Sequence, residues 1–194
     1  MPKETFFNLP EEKRQRIINL ALVEFAQNDY DTASISRIVA QAGIAKGSFY
    51  QYFENKEDLH TYLLTLGAEA KGEFLGSNPP DPQMGTVSYI RWLSQAGSKF
   101  ELARPQLSQI AYRAVRGGTL PEAFQQQARV SAAGFFRQLV EQGQAKGDIA
   151  PDIDSELAAF LFNVIFSELG GYLLKRLPQG DDEVDGRSLF ETPE

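Results

Sequence analysis

Residues 34–56 decide the fold of this chain, and they read SISRIVAQAGIAKGSFYQYFENK. Ser34 is a favourable N-cap, and Gly43 suits the left-handed conformation that ends many helices. Between them, apolar residues recur at the spacing of one helical face: Ile35, Ile38, Val39 and Ala42. A second short helix is expected to follow, with Phe49 and Phe53 as its anchoring side. Two short amphipathic helices joined by a glycine turn indicate a helix-turn-helix, whose second helix enters the major groove of DNA.

The rest of the chain is predicted to be helical as well. The second short helix is expected at residues 45–53. The other expected helices cover residues 10–27, 55–75, 84–102, 105–116, 119–146 and 154–176. Asn55 and Asp154 are expected N-caps, Gly147 an expected helix end, and residues 119–122 have the form of a capping box. No strand-like alternation of useful length occurs, so the fold class is predicted to be all-α. Residues 76–82, which contain three prolines, mark a linker.

The composition excludes several kinds of site. The absence of cysteine excludes disulfides, thiolate nucleophiles and zinc fingers, and the single histidine excludes any site with two imidazoles. That residue, His60, has no partner serine and is expected at the surface or between domains. We expect no metal and no cofactor. The longest apolar stretch is too short to span a bilayer and no secretory signal is evident, so the protein is expected in the cytoplasm.

The net charge of −7 argues against nucleic acid only at first sight. Residues 178–194 contain six acids and one arginine, so five of the seven net negative charges lie in this acidic tail. By contrast, no acid occurs between Asp31 and Glu54, where Arg37 and Lys46 lie. A surface that faces phosphates needs a local absence of carboxylates more than overall basicity. The charge pattern therefore allows DNA binding.

The second short helix carries a face suited to DNA. Its polar side chains are all hydrogen-bond donors: Lys46, Ser48, Tyr50, Gln51 and Tyr52. Gly47 has no side chain, so the backbone there can approach DNA closely. An ordinary solvated face would mix glutamate with lysine. The alternative is a small helical hairpin with incidental tyrosines.

Residues 14–63 strongly resemble the DNA-binding domain of the TetR (tetracycline-repressor-like) family of bacterial transcription regulators. The segments SISRIVA at 34–40, GIAKGSFYQYF at 43–53 and NKEDL at 55–59 carry the resemblance. One departure is YDTA at 30–33, where the family more often has glycine-phenylalanine before the threonines. The resemblance implies a ligand-responsive regulator, most often a repressor, which binds a palindromic operator as a dimer.

The resemblance also implies a domain plan and a set of DNA contacts. The plan comprises a three-helix DNA-binding domain at 1–54, a connecting helix at 55–76, a helical effector-binding and dimerisation domain at 77–177 and the acidic tail at 178–194. Ser34 would meet a phosphate, Ser36 and Arg37 would face the groove edge, and Lys46 and Ser48 would lie at the start of the recognition helix. Tyr50 and Gln51 would lie on its groove face, and Tyr52 and Lys56 would clamp the DNA backbone.

The last predicted helix suggests how the chain assembles. Nine of the ten residues from 157 to 166 are apolar, and a helix that is apolar all round must be buried on more than one side. A second copy of the chain is the natural cover, with an interface predicted at Phe162, Ile165, Phe166 and Leu169. Burial within a single subunit is the alternative.

Residues 91–137 contain seven basic residues and only two acids, interleaved with aromatic residues. This pattern is compatible with an apolar effector pocket guarded by cations, for an anionic ligand with an apolar body. The predicted lining is Trp92, Phe100, Tyr112, Arg113 and Phe135. The alternative is that the aromatic residues form the core and the arginines lie on solvated faces.

Two other classes of function compete with a DNA-binding regulator. A helical protein–protein adaptor would use the aromatic recognition face on a protein partner, without DNA. An enzyme would need paired carboxylates or a nucleophile, and no acids converge on a recognisable motif, so the chain is not expected to be an enzyme.

Overall fold

The computed structural model describes residues 1–119 and 122–174, and this part of the chain is helical with no β-strand, which confirms the all-α prediction. The helices are α1 (Glu4–Phe7), α2 (Glu11–Gln27), α3 (Ile35–Ala42), α4 (Lys46–Tyr52), α5 (Lys56–Ser77), α6 (Thr86–Ala103), α7 (Pro105–Arg116), α8 (Glu122–Lys146) and α9 (Ser155–Leu174). The predicted capping box at 119–122 and the acidic tail fall wholly or partly outside the described residues. Within the described ranges, no helix is both long enough and apolar enough to cross a membrane.

The described residues form two compact units that are not simply consecutive in sequence. Unit 1 combines Met1–Gly72 with residues 106–119, and unit 2 combines Glu73–Pro105 with residues 122–174. Helix α7 therefore belongs with the N-terminal helices, although the sequence suggested a boundary near residue 77. The reason is hydrophobic: Ile110 and Ala114 of α7, each 1% exposed, belong to the core of unit 1.

The core of unit 1 is made by large apolar side chains from six helices and the segment after α4. The most deeply buried of these are Phe6, Ile17, Ile38, Phe49, Phe53, Leu59, Leu63 and Ile110. Gly67 of α5 lies against Leu107 of α7, because a Cβ added to the glycine would be 3.7 Å from the leucine Cδ2. The predicted anchoring side chains, Phe49 and Phe53, stack with ring centroids 5.4 Å apart.

Local capping fixes the helix-turn-helix as the sequence predicted. The Ser34 hydroxyl accepts a hydrogen bond from the Arg37 amide, and Gly43 adopts φ 70° at the end of α3. Asn55 Oδ1 accepts from the Asp58 amide at 2.8 Å at the start of α5, and Asp154 caps α9 in the same way. Gly147 follows α8 with φ 79°. The expected caps at Ser34, Asn55 and Asp154 are confirmed, as are the glycine endings.

His60 is buried in unit 1, and the prediction of a surface or interdomain histidine is wrong. Its side chain packs between Phe25 and Tyr30, with both ring centroids 5.0 Å away, and it is only 3% exposed. Its Nδ1 atom has no hydrogen-bond partner. Burial, together with the charge of Lys56 one helical turn earlier, lowers the pKa of His60 to about 4, so the ring is neutral at pH 7.

The core of unit 2 forms where α8 meets α9 and α6. Phe136 of α8 stacks on Phe162 and Phe166 of α9, with centroid distances of 6.0 and 5.3 Å. These two phenylalanines, predicted at a dimer interface, therefore face their own chain. Ile165 lies on the other side of α9 and is exposed, and Leu169 is half-buried. The sequence shows that residues 157–166 of α9 are apolar on all sides, but it does not show which side α8 covers.

The start of α6 is fixed by the turn after α8. Gly85, the N-cap, supplies no side chain, and Asp148 replaces it by accepting from the Thr86 amide at 2.8 Å and the Thr86 hydroxyl at 3.1 Å. These hydrogen bonds hold the pKa of Asp148 below its ordinary value. Gly143 allows the close approach, since a Cβ there would lie 2.7 Å from Thr86 Oγ1.

Candidate nucleic-acid interface

Helices α3 and α4 present an outer surface without carboxylates. Ser34 and Ser48 are half-buried, and the exposed predicted contacts on this surface are Ser36, Arg37, Lys46, Gly47, Tyr50 and Gln51. Tyr50 is 49% exposed although its neighbour Phe49 is 1% exposed, so α4 has one face in the core and one face open. Such a helix can place donors and an aromatic ring in a DNA groove while its inner face stays packed.

The short helix α4 is held at its C-terminal end by the first residues of the chain. The Tyr50 carbonyl accepts from Lys3 Nζ at 2.9 Å, and the Tyr52 carbonyl accepts from the Lys3 amide at 2.8 Å. The Gln51 carbonyl accepts from the Thr5 hydroxyl. The last carbonyls of a helix lack partners within it, so these bonds complete α4. The predicted helices begin at residue 10 and do not include α1, for which the apolar pair Phe6-Phe7 was the available signal.

Arg37 of α3 forms an ion pair with Glu24 of α2, whose side chain is buried. Arg37 Nε donates to both carboxylate oxygens of Glu24 at 3.1 Å, and Nη2 donates to Glu24 and, at 2.9 Å, to the Thr32 carbonyl. The Ser34 amide also donates to Glu24, at 2.8 Å. Burial would raise the pKa of Glu24, but the hydrogen bonds and charge of Arg37 outweigh it, and the pKa lies below its ordinary value. Arg37 thus has a structural partner, while half of its side chain stays exposed, and its place at the groove edge remains a prediction.

Lys56 is bound to the turn between α2 and α3. Its Nζ donates to the carbonyls of Tyr30, Asp31 and Ala33 at 2.6, 3.2 and 3.2 Å, and lies 4.5 Å from the centroid of the Tyr30 ring. An ammonium group has three protons, so these carbonyls can use all of them. The predicted clamp on a DNA phosphate by Lys56 would compete with these bonds.

Tyr52 is also directed inward. It is 7% exposed, and its ring centroid lies 6.1 Å from that of Phe6. Its ring is part of the core of unit 1, so the structure gives little support to the predicted backbone clamp. Four of the ten predicted contacts have a structural role in the geometry: Ser34, Arg37, Tyr52 and Lys56.

The comparisons with known proteins agree with this geometry. The model described as "Bacterial regulatory proteins, tetR family" matches residues 17–63, and the model described as "Tetracyclin repressor-like, C-terminal domain" matches residues 85–185, which is more than half of the chain. The chain belongs to the TetR family. A crystal structure of a TetR family transcriptional regulator from Chloroflexus aurantiacus J-10-FL is 49% identical, with a TM-score of 0.81, and the match covers 97% of this chain and 85% of that one.

Curated relatives of this TetR regulator match mainly in the DNA-binding part. The fatty acid metabolism regulator protein of Bacillus subtilis is 41% identical over 63 residues, which are 32% of this chain and 31% of that protein. The crystal structure of the regulator FadR from Bacillus subtilis in complex with stearoyl-CoA has a TM-score of 0.58 and 21% identity, covering 87% of this chain and 99% of that one. The latter likeness shows the fold alone. As a member of the family, this chain is a DNA-binding transcriptional regulator with a helix-turn-helix.

The predicted effector residues of this TetR regulator are divided between the units. Tyr112 and Arg113 belong to unit 1, where Arg113 donates to the Ala26 carbonyl at 3.0 Å and pairs with Asp29. Phe100 is buried in unit 2 against Phe74, and Trp92 packs on Tyr89. Arg113 is therefore bound to the DNA-binding helices.

Unit 2 contains a pocket of about 250 Å³ that includes one predicted effector residue, Phe135. Its apolar lining comes from Met84, Tyr89, Phe135 and Leu139, and its polar lining includes Asp81, Gln138, Gln142 and Lys146. No arginine whose side chain is described lines it: Arg91, Arg104 and Arg137 are exposed, and Arg116 donates to the Tyr112 hydroxyl. The expectation that arginines guard the pocket is wrong for these residues, and the side chain of Arg129 lies outside the described part. The described residues contain no cluster of three metal-ligating side chains.

Proposed function

We propose that this regulator binds a palindromic operator as a homodimer in the cytoplasm and represses transcription until a small effector binds unit 2. The observation that carries the proposal is the open surface of α3 and α4, which contain no Asp or Glu. The buried carboxylate of Glu24 in α2 is paired with Arg37. Two copies related by a two-fold axis present two such surfaces. Their half-sites are then expected one helical turn of DNA, or a multiple of it, apart.

Lys46 and Lys56 give a matched test of the DNA surface. Lys46 lies in the first turn of α4 and is exposed, whereas the Lys56 ammonium is bound to three carbonyls. The probe is the duplex that the wild-type protein enriches from a random-sequence library. Lys46→Met is expected to reduce the slope of log Kd against log salt by about one unit, because one phosphate contact is lost. Lys56→Met is expected to leave the slope unchanged.

Two results would contradict this proposal. Loss of about one unit of slope in Lys56→Met, with no change in Lys46→Met, would mean that the DNA surface is wrongly assigned. If the wild type retains no duplex even at low salt and instead binds a protein partner, the adaptor function would replace the regulator's operator binding.

The exposed face of α9 supports the homodimer. Its large apolar side chains are each at least 43% exposed in the single chain and lie on one side of the helix: Leu157, Phe160, Leu161, Val164, Ile165 and Tyr172. Stable dimers with apolar interfaces bury such surfaces. Leu161→Glu is expected to sediment as a monomer at micromolar concentration, because a partner would bury the unpaired carboxylate. Glu156→Gln, a change at an exposed polar position, is the control. A monomeric wild type would exclude the dimer.

The pocket of unit 2 is proposed as the effector site. At about 250 Å³ it is smaller than the roughly 300–1,000 Å³ of sites for drug-sized ligands, so a small molecule is expected. Its apolar part would contact Tyr89 and Phe135, and an anionic group would contact Lys146. A screen of small carboxylates by thermal shift tests this, with Lys146→Gln as the variant expected to lose the shift. Equal shifts in wild type and Lys146→Gln would exclude the anionic effector at this pocket.

A further inference from the structure

The turn between α2 and α3 is bound by cations from three different helices. Arg37 of α3 donates to the Thr32 carbonyl, and Lys56 of α5 donates to three carbonyls of the turn. The third cation is Arg113 of α7, which reaches the Ala26 carbonyl and the Asp29 carboxylate from 87 and 84 residues away in the chain. This turn sets the direction in which α3 leaves α2, and therefore the position of the helix-turn-helix.

Arg113 differs from the other two cations in what its helix is attached to. Arg37 and Lys56 lie within the continuous N-terminal part of unit 1, whereas α7 follows α6 and precedes α8, both of which lie in unit 2. Helix α7 is nevertheless fixed to unit 1 by two buried side chains: Ile110, one turn before Arg113, and Ala114, directly after it. The guanidinium is thus carried on a helix whose inner face is packed in the DNA-binding core.

We propose that Arg113 is a positioning residue for DNA binding: by holding Ala26 and Asp29, it keeps the α2–α3 turn in the arrangement that presents α3 and α4 to DNA. The proposal rests on the regulator's DNA binding and adds a residue from the effector half of the sequence to it. Arg113 contacts no phosphate in this role. When the guanidinium is lost, the turn samples other arrangements, and the apparent Kd rises in inverse proportion to the binding-competent fraction.

The test measures binding of the full-length protein to the duplex enriched by the wild type. Arg113→Met removes every donor at similar side-chain length, and its expected effect is about tenfold weaker binding, the factor expected when a charge-assisted hydrogen bond is lost. Arg116→Met is the matched control, because it removes the same charge from α7 while its guanidinium binds Tyr112 of the same helix. Arg113→Lys, which restores one charge and one bond, is expected to recover part of the affinity.

Asp29 distinguishes positioning from simple electrostatics. Removing a negative charge strengthens DNA binding if only long-range charge matters. Asp29→Asn is instead expected to weaken binding, by about threefold, because the ion pair with Arg113 is lost. Asp31→Asn is the control, since Lys56 binds its backbone carbonyl and not its carboxylate. It is expected to bind as well as the wild type or better.

The salt dependence and the folded state complete the experiment. The slope of log Kd against log salt is expected to be the same for Arg113→Met and the wild type, since no phosphate contact changes. Circular dichroism at the binding temperature establishes that each variant is folded, and Arg113→Lys and Asp29→Asn keep the test decisive if Arg113→Met is not. Wild-type affinity in Arg113→Met and Asp29→Asn, or a reduced salt slope in Arg113→Met, overturns the proposal. A wild type that binds no duplex overturns the proposed function instead.

Discussion

Protonation of His60 is expected to destabilise the protein as the pH falls below 7. The ring is buried between Phe25 and Tyr30. Its Nδ1 has no hydrogen-bond partner, so an N–H formed there by protonation would lack an acceptor. Burial and the Lys56 charge both oppose the imidazolium. In the unfolded chain the ring titrates near its ordinary pKa of 6.5.

The magnitude follows from the two pKa values. The folded value of about 4 is lower than the unfolded value of 6.5, so between them the unfolded chain binds one proton more than the folded chain. The free energy of unfolding is therefore undiminished above about pH 6.5 and is lost progressively as the pH falls toward 4. The full loss is about 3 kcal/mol, and the part lost between pH 7 and pH 5 is about 2 kcal/mol.

The assay uses the fact that the chain has a single histidine. Proton NMR follows the one imidazole signal directly, and it is expected to titrate with a pKa of about 4. Urea unfolding at pH 5 and pH 7 is then compared for the wild type and His60→Gln, which does not titrate. The variant is expected to lack the drop of about 2 kcal/mol. An imidazole signal that titrates near 6.5 in the folded protein, or an equal drop in His60→Gln, would refute the reasoning.

Three further predictions concern other parts of the core. Phe49→Ala is expected to lower the free energy of unfolding by about 3–5 kcal/mol in urea titrations, because the side chain is 1% exposed; Tyr50→Ala, on the open face, is the control and is expected to change it by less than about 1 kcal/mol. Glu24→Gln is expected to lower the free energy of unfolding by about 1–3 kcal/mol at pH 7. Because the pKa of Glu24 lies below its ordinary value of 4.5 in the folded protein, this difference from the wild type should shrink as the pH falls below 4.5 and through the folded value. A difference that does not change with pH would contradict the ion pair. Gly143→Ala is expected to lower the melting temperature and to reduce the free energy of unfolding by about 1–3 kcal/mol, because its Cβ would lie too close to Thr86 and Ile149. The control Gly97→Ala in α6 places its Cβ in open space and is expected to raise the melting temperature.

The features that the sequence predicted correctly are those determined by a few adjacent residues. The caps at Ser34, Asn55 and Asp154 depend on a side chain within three residues of the amide that it binds, so their identity and spacing suffice. The periodicity of Ile35 to Ala42 likewise identified the buried face of α3, since Ile38, Val39 and Ala42 are buried.

The features that the sequence did not predict depend on contacts between distant residues. No local pattern distinguishes Arg113, which binds Asp29 across 84 residues, from Arg91 or Arg137, which are exposed. The same limit explains why the stacking of Phe162 on Phe136 of the same chain was not predicted. The predicted DNA contacts of Arg37 and Lys56 came from residue type and family resemblance, and neither indicates that these cations already have acceptors within the chain.

The interrupted composition of unit 1 limits how the chain can be recombined. The two family models divide the sequence between residues 63 and 85, but α7, which lies inside the second match, supplies Ile110, Ala114 and Arg113 to the DNA-binding core. A chimera that joins these N-terminal helices to the C-terminal part of another regulator would import a foreign α7 beneath α2. Exchange of effector specificity between relatives therefore requires chimera junctions on both sides of α7, so that α7 is retained, or matching substitutions on its inner face. Selection on the C-terminal part of the sequence consequently acts at the same time on the part that binds DNA.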